Sequence, residues 1–225
     1  MKKKIVSLLL ICALAFPVLG GCSGTDREAQ ESYRQLGIKQ LKEGDYQSAE
    51  ESFQKALDES LGDIGAIEED ICYYKALCQF KNGDTEEAIE TYTALIEYDE
   101  KNADAYYLRG SAYLTLDEGK KCISDYDQAV KLDGNNYDLY VGIYENLKAA
   151  GYEDKGNTYL DAALEQECQD ASDYCGQGYI QYLLGEYETA DKLLTTAIEK
   201  GSDQATLYQV KVKKALGEEE TAKNL

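Results

Sequence analysis

The sequence predicts an all-α fold in which helical hairpins stack into a solenoid. One segment recurs along the chain: Gly44 to Leu57 reads GDYQSAEESFQKAL, and Gly83 to Ile96 and Gly185 to Ile198 follow the same pattern. Each segment opens with a glycine and an acidic residue and has an alanine five residues after the glycine. A second series repeats every 34 residues, at Tyr106, Tyr140, Tyr174 and Tyr208. A fixed period of about 20–50 residues indicates stacked repeats, because one hairpin alone cannot bury its apolar face.

The repeated unit resembles the tetratricopeptide repeat, a helix–turn–helix of about 34 residues with recurring aromatic, Leu-Gly and alanine positions. In the first repeat the matching residues are Tyr33, Leu36, Gly37, Ala49 and Phe53. In the third repeat they are Tyr106, Gly110, Tyr113, Tyr126 and Ala129. The resemblance implies a right-handed α-solenoid. The sequence departs from the family pattern by lacking each closing proline, by having Cys122 at the usual alanine site, and by having Gly156 in a poorly matched fourth repeat.

The period divides the chain into five repeats, at 30–63, 69–102, 103–136, 137–170 and 171–204. A five-residue insertion, Ile64–Glu68, separates the first two. Asn102, Asn136 and Asp170 directly precede the last three repeats, and residues of these types favour N-cap positions, so each predicts a helix start. Residues 205–225 continue as an amphipathic segment, which we interpret as the capping helix that a solenoid needs at its end.

Small residues recur at one position of the first helix in four repeats, at Gly37, Ala76, Gly110 and Gly178. We expect them to let the two helices of one hairpin approach closely. Large residues of the second helix, such as Phe53 and Tyr126, are expected to fill the layer toward the next repeat. Most of the 20 tyrosines are therefore predicted to be packing residues with a hydroxyl at the edge of the core.

The N-terminus has the pattern of a bacterial lipoprotein signal peptide. Residues 1–21 combine Lys2–Lys4 with an apolar stretch that is too short to span a bilayer comfortably. The stretch ends in Gly-Gly followed by Cys22, which resembles a lipobox and implies cleavage before Cys22 and a diacylglycerol on its sulfur. Residues 22–29 would form a short lipidated tether, and the chain would be held on the extracytoplasmic face of the cell membrane. An ordinary signal peptide with an accidental cysteine is the alternative.

The composition excludes several classes of function. The formal net charge is −20 and no basic residues cluster beyond Lys2–Lys4 of the signal peptide, so nucleic acid is not expected as a partner. The chain has no histidine, which excludes Ser-His and Cys-His nucleophile systems, and it has no phosphate-binding glycine loop. We predict a protein that is not an enzyme and that needs no metal and no cofactor. The acidic run from Glu68 to Asp70 is interpreted as a solvated helix face.

Five cysteines remain beyond the signal peptide and Cys22, and their spacing does not match zinc sites. Buried packing thiols are the favoured interpretation. A disulfide between Cys168 and Cys175 is left open, because the two residues flank a predicted helix start.

The binding surface is predicted from the architecture. In tetratricopeptide repeats the first helices of successive hairpins line a concave groove, where the resemblance places Tyr73, Leu77, Tyr107, Ser111, Glu145 and Tyr179. Exposed tyrosines make good anchors because they bury a large area at low entropic cost, so Tyr107→Ala should weaken partner binding with little change in melting temperature. The alternative for each residue is a role in the core or at its edge. Nearby acidic residues, Asp104 and Asp138, favour a partner with basic residues.

Three functions fit these observations. The leading one is a membrane-anchored scaffold that binds an unidentified protein or peptide. A narrower version resembles the repeat lipoproteins that assist assembly of outer-membrane barrels or pilus secretins. The third is a solute- or glycan-binding lipoprotein, which would need a pocket with convergent polar groups. Some family members clamp the C-terminal carboxylates of chaperones with Lys and Asn, but Arg34 and Ile38 stand at the matching positions, so this activity is not expected.

Overall fold

The computed structural model describes residues 26–60 and 65–223. The predicted signal peptide and the lipidation site Cys22 lie outside the described residues. Over these two ranges the chain forms eleven α-helices and no strand, which confirms the all-α prediction. In chain order they are α1 Arg27–Glu43, α2 Tyr46–Asp58, α3 Ala66–Asn82, α4 Thr85–Tyr98, α5 Ala103–Thr115, α6 Gly119–Leu132, α7 Tyr137–Ala149, α8 Glu153–Leu164, α9 Ala171–Leu183, α10 Tyr187–Glu199 and α11 Asp203–Lys223.

The helices form hairpins in two compact units that divide between Leu132 and Asp133. The N-terminal unit contains the hairpins α1–α2, α3–α4 and α5–α6, and the C-terminal unit contains α7–α8 and α9–α10, followed by α11. Within each unit first helices contact one another, α1 with α3 in the N-terminal unit and α9 with both α7 and α11 in the C-terminal unit. We call the surface formed by α1, α3 and α5, or by α7, α9 and α11, the first-helix face of that unit.

The predicted helix starts are confirmed. Asn102, Asn136 and Asp170 are the N-caps of α5, α7 and α9, and their side chains accept backbone hydrogen bonds of 2.8–3.2 Å from the first turn. These bonds satisfy donors that a helix leaves unpaired at its N-terminus. The 34-residue period therefore marks the same physical event, the start of a first helix, three times in succession.

The turn inside each hairpin requires a left-handed backbone. Gly44 and Gly83 close α1 and α3 with φ of 79° and 97°, a conformation that glycine adopts without steric cost. In the third hairpin Asp117 takes this position with φ of 58°, and no other non-glycine residue in the described ranges has a positive φ. An L side chain costs about 1–2 kcal/mol there, so this turn is strained relative to its counterparts.

In the first, third and fifth hairpins, close packing depends on a glycine of the first helix opposite a large residue of the second. A Cβ atom at Gly110 would lie 2.8 Å from the ring of Tyr126, and a Cβ atom at Gly37 would lie 2.8 Å from the ring of Phe53. The predicted close approach is therefore confirmed, and the prediction that such rings fill the layer toward the next repeat is confirmed for Phe53. Each ring first fills the space above the glycine of its own hairpin, and Phe53 also stacks on Tyr74 of the next hairpin at 5.5 Å.

The fourth repeat keeps this packing with its two helices exchanged. Tyr144 stands on α7 where the other first helices have a small residue, and Gly156 stands on α8 where the other second helices have Ala or Cys. A Cβ atom at Gly156 would lie 3.0 Å from the Tyr144 ring and 3.2 Å from the Tyr144 carbonyl oxygen. The large ring and the glycine have exchanged helices, which accounts for the departure from the family pattern at Gly156.

Two tyrosines at equivalent positions differ in how their buried hydroxyls are satisfied. Tyr92 on α4 and Tyr126 on α6 are 34 residues apart, and both are 0% exposed. The Tyr126 hydroxyl lies 3.2 Å from the hydroxyl of Ser111. The Tyr92 hydroxyl has no hydrogen-bond partner among the described residues, because the position that Ser111 takes in the third repeat holds Leu77 in the second.

Removing these two hydroxyls should have opposite effects. Tyr92→Phe is expected to leave the free energy of unfolding unchanged or to raise it by about 1 kcal/mol, because an unpaired buried polar group is destabilising. Tyr126→Phe, the matched control, should lower the free energy of unfolding by about 1 kcal/mol because it breaks a buried hydrogen bond. Urea denaturation of both variants measures the difference, and equal losses would contradict this assignment of hydroxyl partners.

The acidic run from Glu68 to Asp70 is not a solvated face, and that prediction is wrong. Glu68 is 2% exposed, and its Oε1 accepts hydrogen bonds of 2.7 Å from Arg27 and 2.8 Å from Gln30 on α1. Its Oε2 accepts the backbone N–H of Gly65 at 2.9 Å and so caps α3. A carboxylate can be buried only with such partners. The run therefore joins α3 to α1 within the N-terminal unit.

The cysteines of the described residues are free thiols, and Cys168 and Cys175 do not form a disulfide. Four of them are buried, at Cys72, Cys78, Cys122 and Cys175. Burial raises the pKa of Cys78 to about 12 and that of Cys122 to about 11. These thiols stay protonated and pack like small apolar side chains, as the sequence indicates.

Candidate protein-binding surface

Tyr73 on α3 and Tyr107 on α5 lie on the first-helix face of the N-terminal unit, and both are half-buried. The Tyr73 ring meets the ring of Tyr74 edge-on, with centroids 5.8 Å apart. Burial raises the pKa of Tyr73 to about 12, and the carboxylate of Asp104 on α5 adds to the shift. The phenol therefore remains a protonated hydrogen-bond donor, close to a negative charge from the neighbouring hairpin.

Tyr107 has a packing role as well as an accessible edge. Its ring stacks on the fully buried Tyr126, with centroids 5.9 Å apart and an interplanar angle of 29°. Such an aromatic pair contributes about 0.5–1.5 kcal/mol beyond the area that it buries. Removing the Tyr107 ring therefore carries a stability cost that the sequence does not reveal.

Leu77 and Ser111 occupy the same position in successive repeats, and neither side chain is fully exposed on the first-helix face. Leu77 is half-buried, and Ser111 is 9% exposed. The Ser111 Oγ donates to the carbonyl oxygen of Tyr107 at 2.9 Å in addition to its contact with Tyr126. The hydroxyl of Ser111 is thus engaged inside its own hairpin.

The charges on this face leave a carboxylate available. Arg34 on α1 donates from Nε to the Asp70 carboxylate on α3 at 2.7 Å, so these two groups neutralise each other. Asp104 is exposed and forms no ion pair with any residue that the structure describes. An exposed acidic group beside half-buried tyrosines therefore characterises the N-terminal unit.

Tyr179 on α9 is the centre of a tyrosine stack in the C-terminal unit. Its ring is parallel to that of Tyr208 on α11, with centroids 4.1 Å apart, and it also stacks on Tyr182 at 6.0 Å. The ammonium of Lys211 lies 5.4 Å from the centroids of both Tyr179 and Tyr208. Burial raises the pKa of Tyr179, and the carboxylate of Glu145 on α7 adds to the shift.

A cavity of about 340 Å³ opens beside this stack, which we call the C-terminal cavity. Its walls come from α7, α9 and the start of α11, and they include Tyr137, Asp138, Cys175, Tyr179, Gln204 and Tyr208. Asp138 at its edge and Glu145 one helical turn beyond Val141 are both exposed, and neither pairs with a cation in the described ranges. The predicted residues Glu145 and Tyr179 thus lie on one face with a pocket that the sequence did not predict.

Tyr208 is the main site residue that sequence reasoning missed. It belongs to the tyrosine series that begins at Tyr106, and the period indicates a packing role for it. Tyr140, an earlier member, is 5% exposed. Tyr208 stands on α11, the last described helix, and its ring remains only half-buried against Tyr179. Its position in the last predicted helix is the sequence feature that could have indicated an accessible ring.

Over residues 26–60 and 65–223, no cluster of three or more carboxylate or thiol side chains is arranged to hold a metal ion. None of the helices in these ranges combines the length and the apolar character of a membrane-spanning segment.

Two family models match the middle of the chain. A TPR repeat model matches residues 79–117, and a tetratricopeptide repeat model matches residues 103–136. These segments cover α4 to α6 and their immediate neighbours.

Similar proteins are found among solved structures and curated relatives. A thermophilic TPR protein from Thermus thermophilus superposes with a TM-score of 0.51 at 22% identity, over 84% of this chain and 99% of that one. A DnaJ homolog subfamily C member 3 homolog from Dictyostelium discoideum is 36% identical over 33% of this chain and 14% of its own length. The human mitochondrial import receptor subunit TOM70 is 22% identical over 53% of this chain and 21% of its own length.

The matched regions therefore span only a seventh to about a fifth of the two curated relatives. At 22% identity the Thermus structure shows a shared fold. The repeat models and this shared fold together support a tetratricopeptide-repeat protein.

Proposed function

We propose that this protein is a non-catalytic scaffold, anchored through a lipid on Cys22 at the extracytoplasmic face of the cell membrane, that binds a protein or peptide partner. The anchor rests on the resemblance of the sequence before Cys22 to a lipobox, and one structural observation supports the binding surface. In both units the first-helix face places accessible tyrosine rings beside carboxylates that form no ion pair in the described ranges, Asp104 in one unit and Asp138 and Glu145 in the other.

The chemistry of these faces favours a partner that is partly apolar and partly basic. Tyrosine rings supply contact area at low conformational cost, and they are frequent among the residues that dominate binding energy. Carboxylates without ion pairs attract basic groups, and complementary charge raises the association rate more than the final affinity. A partner that presents lysine or arginine among apolar residues would satisfy both features.

Two more specific functions remain proposals of lower rank. An assembly lipoprotein for outer-membrane barrels or pilus secretins is a narrower form of the same scaffold. A solute- or glycan-binding lipoprotein is supported by the C-terminal cavity, since polar groups and tyrosines line its volume of about 340 Å³.

One experiment tests the anchor and the binding surface together. The full chain with an affinity tag is expressed in cells, membranes are separated, and captured proteins are quantified after detergent extraction. We expect Cys22→Ala to move the protein out of the membrane fraction, because the anchor is lost. We expect Tyr107→Ala to stay in the membrane and to capture the partner at least about tenfold less well, as for an interface anchor that contributes more than about 1.4 kcal/mol.

Tyr46→Ala on α2 is the matched control for binding, because Tyr46 is also half-buried but belongs to a second helix. Melting temperatures of both tyrosine variants separate lost binding from lost folding. Membrane retention of Cys22→Ala would contradict the anchor, and equal capture by the Tyr107→Ala and Tyr46→Ala variants would contradict the binding surface.

A further inference from the structure

The C-terminal cavity has an electrostatic preference that follows from its position. It lies at the N-terminal ends of α7, α9 and α11, each of which carries a partial positive charge of roughly 0.5. Each of these helices also has an aspartate in its first turn, Asp138, Asp173 and Asp203. A full negative charge on a first turn outweighs the partial charge of the helix dipole, and Asp138 is the charged side chain among the described residues that line the cavity, so its wall is negative.

Side chains already cap one or two of the unpaired N–H groups at each of these helix ends, which weakens the usual reason for an anion to bind there. Asn136 Oδ1 accepts the N–H of Leu139, and Asp170 Oδ1 accepts two N–H groups of α9. Ser202 Oγ accepts the N–H of Ala205 at 3.3 Å. These caps occupy backbone donors that a carboxylate or a phosphate would otherwise use.

The aromatic wall of the cavity already attracts a cation from the protein itself. Lys211 is exposed, yet its ammonium lies 5.4 Å from the centroids of Tyr179 and Tyr208, within the range of a cation–π interaction. Burial raises the pKa of both phenols, and the Asp138 carboxylate adds to the shift of each. Tyr179, Tyr208 and Asp138 all line the cavity, so the two rings and the carboxylate face one site.

The wall is completed by a glycine that allows close contact. A Cβ atom at Gly176 would lie 2.3 Å from the ring of Tyr137, so only glycine lets this ring rest on α9. Tyr137 is 7% exposed and forms the side of the cavity next to Asp138. The cavity therefore has tyrosines on two sides and a carboxylate at its edge.

We propose that the C-terminal cavity binds the cationic side chain of a lysine or arginine from an extended peptide. The methylene stem lies between Tyr137 and the Tyr179–Tyr208 stack, and the charged end reaches the carboxylate of Asp138. Lys211 competes for the same aromatic surface as an internal cation. This inference rests on the proposed binding function and assigns one pocket to it, in the C-terminal unit.

The experiment uses the full chain in nonionic detergent and a fluorescein-labelled decalysine peptide as the probe, with binding read by fluorescence anisotropy. Asp138→Asn should weaken binding about tenfold, because it removes the carboxylate at the cavity edge. Asp154→Asn, an exposed acid on α8 with the same charge change, is the matched control and should alter binding less than about twofold.

Removing the internal competitor gives a result that simple charge attraction does not predict. Lys211→Gln should tighten decalysine binding by about threefold more than Lys192→Gln, because each variant removes one positive charge but only Lys211 lies over the tyrosines. Circular dichroism confirms that each variant is folded. The two pairs of variants together separate the cavity from the general acidity of the chain.

Three results would overturn the proposal. If the variants of Asp138 and Lys211 behave like their controls, decalysine binds elsewhere. If spermine binds with the same dependence on these variants and decalysine does not bind, the ligand is a free polyamine. If a neutral hexasaccharide displaces the probe, the cavity recognises glycans. Each outcome leaves the scaffold function to be decided separately, by partner capture with the Tyr107→Ala variant of the N-terminal unit.

Discussion

Gly110→Leu should lower the free energy of unfolding by about 3 kcal/mol or more, at the upper end of the range for overpacked cores. The reason is the distance of 2.8 Å between a Cβ atom at this position and the ring of Tyr126, before the rest of the leucine side chain is added. Tyr126 is 0% exposed and stacks on Tyr107, so its ring cannot move without disturbing the hairpin α5–α6. Urea denaturation followed by circular dichroism measures the change.

Gly119→Leu is the matched control for this substitution. Gly119 is the first residue of α6, and a Cβ atom there would have no neighbour within 4 Å among the residues that the structure describes. We expect the free energy of unfolding of the Gly119→Leu variant to be unchanged or to rise by less than about 1 kcal/mol, because leucine favours helix more than glycine does. Similar stability of the two leucine variants would mean that Gly110 does not face Tyr126.

Asp125→Ala should have the second large effect, a loss of about 3–5 kcal/mol, because it leaves a buried guanidinium without its counter-ion. Arg109 on α5 donates to both carboxylate oxygens of Asp125 on α6, from Nε at 2.7 Å and from Nη2 at 2.8 Å. Only 15% of the Arg109 side chain and 8% of the Asp125 side chain are exposed. Burial alone would lower the pKa of Arg109, but hydrogen bonding and the charge of Asp125 outweigh it and raise the pKa.

Two comparisons make this prediction specific. Lys39→Ala breaks an exposed ion pair with Glu43 of 3.9 Å, and it should cost less than about 1 kcal/mol. Arg109→Leu combined with Asp125→Leu removes both charges, and the double variant should be more stable than Asp125→Ala alone. If Asp125→Ala loses no more than Lys39→Ala, the buried ion pair does not hold α5 to α6.

The features that sequence predicted well are those set by local chemistry. Asn102, Asn136 and Asp170 act as N-caps because a side-chain oxygen at that point satisfies the next turn whatever surrounds it. The small residues at Gly37 and Gly110 likewise mark close approach of two helices joined by a short turn. These interactions connect residues near in sequence, so periodicity is sufficient to find them.

The features that sequence did not predict depend on partners far along the chain. Glu68, the last residue of the insertion that breaks the period, accepts hydrogen bonds from Arg27 and Gln30 in α1, 41 and 38 residues earlier. The C-terminal cavity is formed by residues of three helices. Tyr208 contributes to it because α11 packs beside α9. A run of charged residues or a single tyrosine in the sequence does not predict which distant residues it will contact.

Site-specific photo-crosslinking tests the proposed binding function most directly. A benzophenone amino acid replaces Tyr107 or Tyr179 on the first-helix faces, and replaces Lys55 or Glu188, exposed residues of the second helices α2 and α10, as controls. Cells that make the protein are irradiated, and crosslinked products are identified by mass spectrometry. We predict the same partner at Tyr107, Tyr179 or both, and none at the control positions. Crosslinks that form at Lys55 and Glu188 but not at either tyrosine would contradict binding on the first-helix faces.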